Sequence, residues 1–361
     1  MIRKLLLVAS YVALCIVSSC RSKTPVAGVE PSANYSKKPK NIILLIGDGM
    51  GLAQVSAALF VNNGLPGFEF FKIIGLVQTS SYNDYITDSA AGATALSSGE
   101  KTYNGAIGVG FDTLSRTTIL ELAESNGLST GLISTCSVTH ATPASFFAHT
   151  PDREMHSRIA NDFYGKGIDF VAGTGKPYFS VSKLTEDGYS VFTGYPLTSM
   201  ISPGKKTFWF YNDSIHPPKY MNGRGDFLPD ATRSAVHSLN SNKKGFFLMV
   251  EGSQIDWGGH NNDLPYVISE TVDFDHAVKQ ALDFAVADGN TLVIVTADHE
   301  TGGLGLMYGD LKTKTIKPDF ANTHHSGIMV PVYAYGPGAE LFSGIMQNTD
   351  IFKKMKFLYG F

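Results

Sequence analysis

The sequence predicts an α/β protein: a three-layer α/β/α sandwich around a central, mostly parallel sheet. Three observations carry that expectation. The stretches Asn41–Ile46, Phe246–Val250 and Thr291–Thr296 are near-continuously apolar, the pattern of strands covered on both faces rather than strands with one wet face. Each stops abruptly at glycine or acidic residues, namely Gly47-Asp48-Gly49, Glu251-Gly252 and Asp298-His299. Helical spacing separates them, most clearly in Ser269–Ala287, where Val278, Ala281, Leu282 and Ala285 recur at helical intervals.

The chain has 361 residues, 43% of them hydrophobic, enough for a large single core. Net charge is −3 with Lys and Arg dispersed, so there is no basic footprint for nucleic acid. Met1–Lys4 followed by apolar Leu5–Val17 has the two regions of a secretory signal and is too short to span a bilayer. It ends Val17-Ser18-Ser19-Cys20, which resembles a bacterial lipobox. Residues 1–20 are therefore expected to be a signal peptide with its cleavage site, cut so that Cys15 leaves with the signal while Cys20 stays with the mature chain and carries a lipid anchor to a membrane. An ordinary signal peptide with an incidental cysteine is the alternative. Either way the protein is expected to be exported, to the periplasm or cell envelope. Of the three cysteines, only Cys136 would then remain, and no internal disulfide is expected.

Residues 21–40 lack periodicity and read as a flexible tether; 41–361 read as one domain. After the first strand a helix is expected through Val61, then a second strand within Phe70–Tyr82. Thr87-Asp88-Ser89-Ala90-Ala91-Gly92-Ala93 reads as a helix start, with Asp88 or Ser89 as the cap and slim residues behind it. Its free N–H groups favour an anion. Thr117–Ser125 reads as a short helix and Leu128–Thr135 as a third strand. Residues 165 to 244 show short strand-like runs at Tyr189–Thr193 and Thr207–Tyr211, read as an elaboration of the sheet.

A parallel sheet gathers its strand ends along one rim. Asp48, Glu251 and Asp298-His299 stand at such ends, with Asp256 and His260 just beyond the second. Any one of them could simply cap a helix. Together they need cations, because clustered carboxylates repel. Mixed Asp and His ligands suit zinc, and oxygen-rich sets suit magnesium.

The segments Ile46-Gly47-Asp48-Gly49-Met50-Gly51, Thr87-Asp88-Ser89-Ala90-Ala91, His140-Ala141-Thr142-Pro143, Val250-Glu251-Gly252, Ile255-Asp256 with His260, Thr296-Ala297-Asp298-His299-Glu300-Thr301-Gly302-Gly303 and His325-Ser326-Gly327 resemble the alkaline phosphatase family, in that family's order. The resemblance implies hydrolysis of phosphate monoesters through a phosphoserine at Ser89. It implies one zinc on Asp256, His260 and His325, and a second on Asp48, Asp298 and His299. It implies a magnesium shared by Asp48, Thr142 and Glu251, and a phosphate clamp at Arg153. Family members are commonly dimers, so a homodimer is a further implication.

Each position has a plainer reading. Thr142 could be a turn residue, Arg153 could pair with Asp152 or Glu154, and His324 competes with His325. His149 reads as a core or surface histidine, and Cys136 as a small buried hydrophobe. Two positions depart from one bacterial branch: His140 stands where it has Asp, and Trp257 where it has Lys. His140 is expected beside the magnesium, and Trp257 leaves the phosphate pocket without that cation. A phosphodiesterase of the same superfamily, or an inert metal-binding surface lipoprotein, are the alternative functions. The sulfatase pattern Cys/Ser-x-Pro-x-Arg is missing around Ser89.

Overall fold

A computed structural model describes residues 37–195 and 200–361. The expected signal peptide, Cys20 and most of the expected tether lie outside the described residues. Among the described residues no helix is long and apolar enough to cross a membrane.

Ten strands form one sheet: β1 (Asn41–Gly47), β2 (Ile73–Gln78), β3 (Ser129–Ser137), β4 (Phe170–Thr174), β5 (Ser190–Thr193), β6 (Thr207–Phe210), β7 (Phe246–Gly252), β8 (Thr291–Thr296), β9 (Val330–Tyr335) and β10 (Gly344–Gln347). Their order is β10-β2-β9-β8-β1-β7-β3-β4-β6-β5. Only β9 runs against its neighbours β2 and β8. The apolar runs sit at the centre, as uniform burial requires: β1 lies between β7 and β8, with every residue of all three buried.

Register sets the site. Ile46 pairs with Glu251 on one side and Thr296 on the other, so Asp48, Glu251 and Asp298 leave the sheet at the same rim. The helix Leu264–Asp288 packs on one face with Leu52–Val61 and Phe227–Leu239; the helices Ser89–Ser98, Ile119–Ser125 and Asn348–Tyr359 cover the other. This is the three-layer α/β/α arrangement, with a mostly parallel centre.

The stretch from 165 to 244 supplies β4, β5 and β6 to one edge of the same sheet, together with the helix Phe227–Leu239, which its composition did not reveal. It is fastened to the long helix by Arg224. That side chain is fully buried and pairs with Glu270 and, at 2.8 Å, with Asp273. The long helix begins at Leu264 instead of Ser269. Asp263 caps it by accepting from the Tyr266 amide at 3.1 Å, and Pro265 fits the first turn. Apolar periodicity does not register such an opening turn.

Candidate active site

Asp88, not Ser89, caps the Ser89–Ser98 helix. Its Oδ1 accepts the Ala91 amide at 2.9 Å, which places Ser89 as the first helical residue with its hydroxyl at the rim. The small residues behind it matter for approach. A Cβ on Gly92 would sit 3.1 Å from both Cβ and the carbonyl oxygen of Asp298, so glycine lets this helix press against the Asp298 loop. Gly49 has φ +73° and a Cβ there would meet the Asp256 Cα at 2.7 Å. Only glycine brings the β1 loop that close to the Asp256 helix.

Ser89 Oγ lies 3.2 Å from His299 Nε2. The same nitrogen is 3.3 Å from Asp298 Oδ2 and 3.5 Å from Asp48 Oδ1, while His299 Nδ1 faces Thr301 Oγ1 at 3.3 Å. In a serine–histidine–aspartate triad the carboxylate holds the nitrogen opposite the serine. Here hydroxyl and both carboxylates converge on one nitrogen, the arrangement of groups directed at a common cation.

A second convergence lies beside it. Asp256 and His260 are four apart on the helix Gln254–His260 and share a face. Asp256 Oδ1 is 3.3 Å from His260 Nε2 and 3.5 Å from His325 Nε2, and the two Nε2 atoms are 3.1 Å apart. Both rings are oriented by backbone carbonyls: His260 Nδ1 donates to Thr323 O at 2.6 Å and His325 Nδ1 to Thr87 O at 2.8 Å. Each Nε2 is thereby left with its lone pair inward, the usual way an outer hydrogen bond fixes a ligating tautomer. The His299 and His325 rings stack with centroids 3.5 Å apart, joining the two groups.

The electrostatics of this corner do not close within the protein. Burial pushes Asp48 well above the usual carboxylate range, and neighbouring Asp298, Asp256 and Glu251 add to it. Burial carries Asp298 to about 8 and Glu251 to about 7. Asp256 is held low despite burial, by the His260 hydrogen bond and the nearby imidazoles. Both oxygens of Asp48, Oδ2 of Asp298, Oε1 of Glu251 and Oγ1 of Thr142 are buried without a well-aligned hydrogen-bond partner. Buried carboxylates left unpartnered are costly. Divalent cations fit the donor set present: Asp and His on one side, and Glu251, Thr142 and Asp48 oxygens on the other.

Arg153 reaches the same place. Its Nη1 donates to Asp88 Oδ2 at 2.9 Å, whereas Glu154 approaches its Nε only to 4.0 Å. Burial works against the guanidinium, but Asp88 more than offsets it and keeps the charge. Trp257 stands edge-on to His216 at 4.9 Å and to His140 at 6.1 Å between ring centroids. Burial and then Arg153 hold His140 down to about 3, a neutral imidazole. An open cleft of about 260 Å³ beside Asp88, His260 and His325 gives access. A larger groove of about 920 Å³, lined by Tyr220, Leu264 and Pro318 among others, includes none of these site residues.

His325, not His324, faces Asp256; His324 lines the access cleft. His149 sits elsewhere, bridging Gly108 O and Glu121. Sequence reasoning missed two contributors. His216 comes from the irregular stretch, and its Nδ1 accepts the Ser137 amide at 3.3 Å. Glu300 ties the His299 and His325 loops together by accepting from Gln54 at 2.8 Å, from the Gly303 and Leu304 amides at 3.1 Å, and from Ser326. Its place directly after Asp298-His299 was the one available signal.

The family model for alkaline phosphatase matches residues 39–173 and 219–317. The chain belongs to the alkaline phosphatase family. Alkaline phosphatase 3 of Bacillus subtilis is 32% identical over 95% of this chain and 95% of its own length. The alkaline phosphatase of Escherichia coli is 34% identical over 91% and 88%. Among solved structures, an alkaline phosphatase from the Antarctic bacterium TAB5 superposes with a TM-score of 0.86 at 45% identity, covering 90% of this chain and 99% of that one. Variants of that protein with glutamate or aspartate replacing one histidine have magnesium bound in a site termed M3. As an alkaline phosphatase, the chain is a metal-dependent phosphoric monoester hydrolase, and its central sheet is the scaffold of that fold.

Proposed function

We propose that the chain hydrolyses phosphate monoesters through a covalent phosphoserine at Ser89. The convergence of Ser89 Oγ, Asp48 and Asp298 on one face of His299 Nε2 is the observation that carries this reading. Two zinc ions would be held, one by Asp48, Asp298 and His299, the other by Asp256, His260 and His325. A third cation would be shared by Asp48, Thr142 and Glu251, whose oxygens by themselves suit magnesium; the magnesium bound in the Antarctic protein's variants supports a third site. When bound, these ions supply positive charge that favours the serine alkoxide and opposes charge developing on the leaving oxygen.

The chain's own residues do the remaining work. Ser89 loses its hydroxyl proton to water as Oγ attacks phosphorus in line, a new O–P bond forms, and the ester P–O bond breaks, its electron pair going to the leaving oxygen, which takes up a proton from water and departs as the alcohol. Water then cleaves the serine–phosphorus bond, releasing inorganic phosphate and returning the hydroxyl. Arg153 presents a planar fork to phosphate oxygens, its position set by Asp88. The amides opening the Ser89–Ser98 helix face the same anion. Catalysis is thus mainly positioning and charge stabilisation. No cationic side chain stands at Trp257, so phosphate retention rests on Arg153 and the metals.

The leader-like Met1–Cys20 supports an exported protein of the periplasm or cell envelope, anchored by lipid at Cys20; a homodimer is proposed from the family resemblance. Acid quenching during turnover of p-nitrophenyl phosphate, followed by peptide mass spectrometry, tests the intermediate. Phosphate is expected on Ser89 and on no residue of Ser89→Ala, whose kcat should fall by on the order of 10³-fold or more. Unmodified Ser89 with undiminished Ser89→Ala turnover would overturn it.

A further inference from the structure

Glu251, one of the residues assigned to the third cation, has a sulfur and an imidazole close by. The Cys136 sulfur, a ring nitrogen of His140 and a carboxylate oxygen of Glu251 lie within 4.8 Å of one another. Cys136 comes from β3, Glu251 from the end of the adjacent β7, and His140 from the turn three residues after β3 ends. The Sγ–Oε2 distance between Cys136 and Glu251 is 3.5 Å. Zinc–sulfur and zinc–oxygen bonds of about 2.3 and 2.0 Å at a tetrahedral angle separate the two ligand atoms by about 3.5 Å. Two further observations point to a ligand. His140 Nδ1 and Glu251 Oε1 are buried and meet no well-aligned hydrogen-bond partner. Cys136 itself is fully buried and forms no disulfide, and its sulfur also lies 3.3 Å from the Ser137 carbonyl oxygen.

We propose that Cys136 is a ligand of the third cation, and that the site it forms with His140 and Glu251 takes zinc in preference to magnesium. This rests on the phosphomonoesterase reading above and deepens it. The chemistry follows from donor type. Magnesium demands oxygen donors in near-octahedral array and binds thiolate and imidazole poorly; zinc accepts sulfur, nitrogen and oxygen together. On binding, the Cys136 S–H bond breaks, its proton passes to water, and the sulfur's electron pair goes to the metal. The cation then neutralises Glu251 in a part of the site where carboxylates crowd. The same 3.5 Å contact would also arise from a thiol donating to Glu251 with no metal bond to sulfur, so the readout must see the sulfur itself.

The full chain, stripped by chelation and refilled with cobalt(II), should show a near-ultraviolet thiolate-to-cobalt charge-transfer band. The band should vanish in both Cys136→Ser and Cys136→Ala. Equilibrated with equal zinc and magnesium and analysed by mass spectrometry for metals, the wild type should hold three zinc per chain. Cys136→Ala should hold two zinc and one magnesium, its zinc-over-magnesium preference at the third site lowered at least about tenfold. A wild type with two zinc, one magnesium, full monoester turnover and no charge-transfer band would overturn the sulfur ligand while leaving the phosphatase reading intact. A chain that holds no divalent cation and cleaves no monoester would overturn both.

Discussion

Arg153 Nη1 donates to Asp88 Oδ2 at 2.9 Å, and the same oxygen accepts the Gly105 amide at 3.0 Å, while the other carboxylate oxygen caps the helix that carries Ser89. One side chain therefore fixes the helix that opens at Ser89, the proposed nucleophile, and positions the guanidinium of Arg153, the proposed phosphate clamp. The two tasks can be separated. Asp88→Asn keeps an acceptor for the Ala91 amide but loses the charge that holds Arg153. Thermal stability should fall only modestly, by about 1 kcal/mol for the Gly105 amide that loses its acceptor, whereas KM and the inhibition constant for inorganic phosphate should rise about tenfold, equal to 1.4 kcal/mol of binding. A large loss of stability with KM unchanged would show that Asp88 serves the helix alone.

Trp257 lies in the helix that also carries Asp256 and His260, against His216 and His140. Replacing it by lysine would add a cation beside the proposed phosphate pocket. Trp257→Lys should tighten inhibition by inorganic phosphate on the order of tenfold and slow product release, while Trp257→Leu should not tighten it. Equal inhibition of the lysine variant and the wild type would refute the idea that this position tunes phosphate retention.

Glu300 is not among the proposed ligands, yet it holds together the two loops that carry His299 and His325. Truncation in Glu300→Ala would leave the Gln54 amide, the Gly303 and Leu304 amides and the Ser326 hydroxyl without their acceptor. Buried donors so orphaned cost roughly 1–3 kcal/mol each when nothing relaxes, so urea unfolding should show a loss of about 3 kcal/mol or more. Glu300→Gln, which keeps one acceptor, should recover part of it. The Ala variant should also release zinc at a lower chelator concentration, because the His325 strand pairs with Glu300–Thr301.

Glu124 provides a pH test away from the site. Burial pushes its carboxyl up to about 7, with Asp169 adding, although Thr130 donates to it. The unfolded value is about 4.3, so between about 4.3 and 7 the folded chain binds more protons than the unfolded one. Its contribution to stability is then greatest below about pH 4.3 and declines as pH rises to about 7. Glu124→Gln should flatten the stability profile over that window and raise stability at neutral pH. An unchanged slope would mean that Glu124 ionises normally.

The sheet was legible because its central strands are apolar on both faces and end in chemistry: Ile42–Ile46, Phe246–Val250 and Leu292–Val295 announce both burial and the rim. The motif residues were legible for the same reason, since Asp48, Glu251 and Asp298 leave strands in matched register. Long-range partners were not. Nothing local in the sequence shows that Arg153 turns to Asp88 instead of Asp152 or Glu154. Nor does it show that His216 folds back from an irregular stretch onto Trp257. The helix Phe227–Leu239 escaped because buried Thr232, Ser234 and Ser238 blur its apolar stripe. Cys136 read as a small hydrophobe, since its neighbours Glu251 and His140 are fixed by strand pairing and a turn that no spacing shows.

Turnover is expected to depend on divalent cations joining Ser89 to the Asp48, Asp298 and His299 corner. Zinc content and hydrolysis of p-nitrophenyl phosphate and its diester, measured on one preparation before chelation, after it and after zinc return, test this most directly. The structure predicts at least two zinc per chain, turnover lost on chelation and restored by zinc, and the monoester cleaved faster throughout. Undiminished monoester turnover from a fully zinc-depleted chain, or a diester rate exceeding the monoester rate, would contradict it.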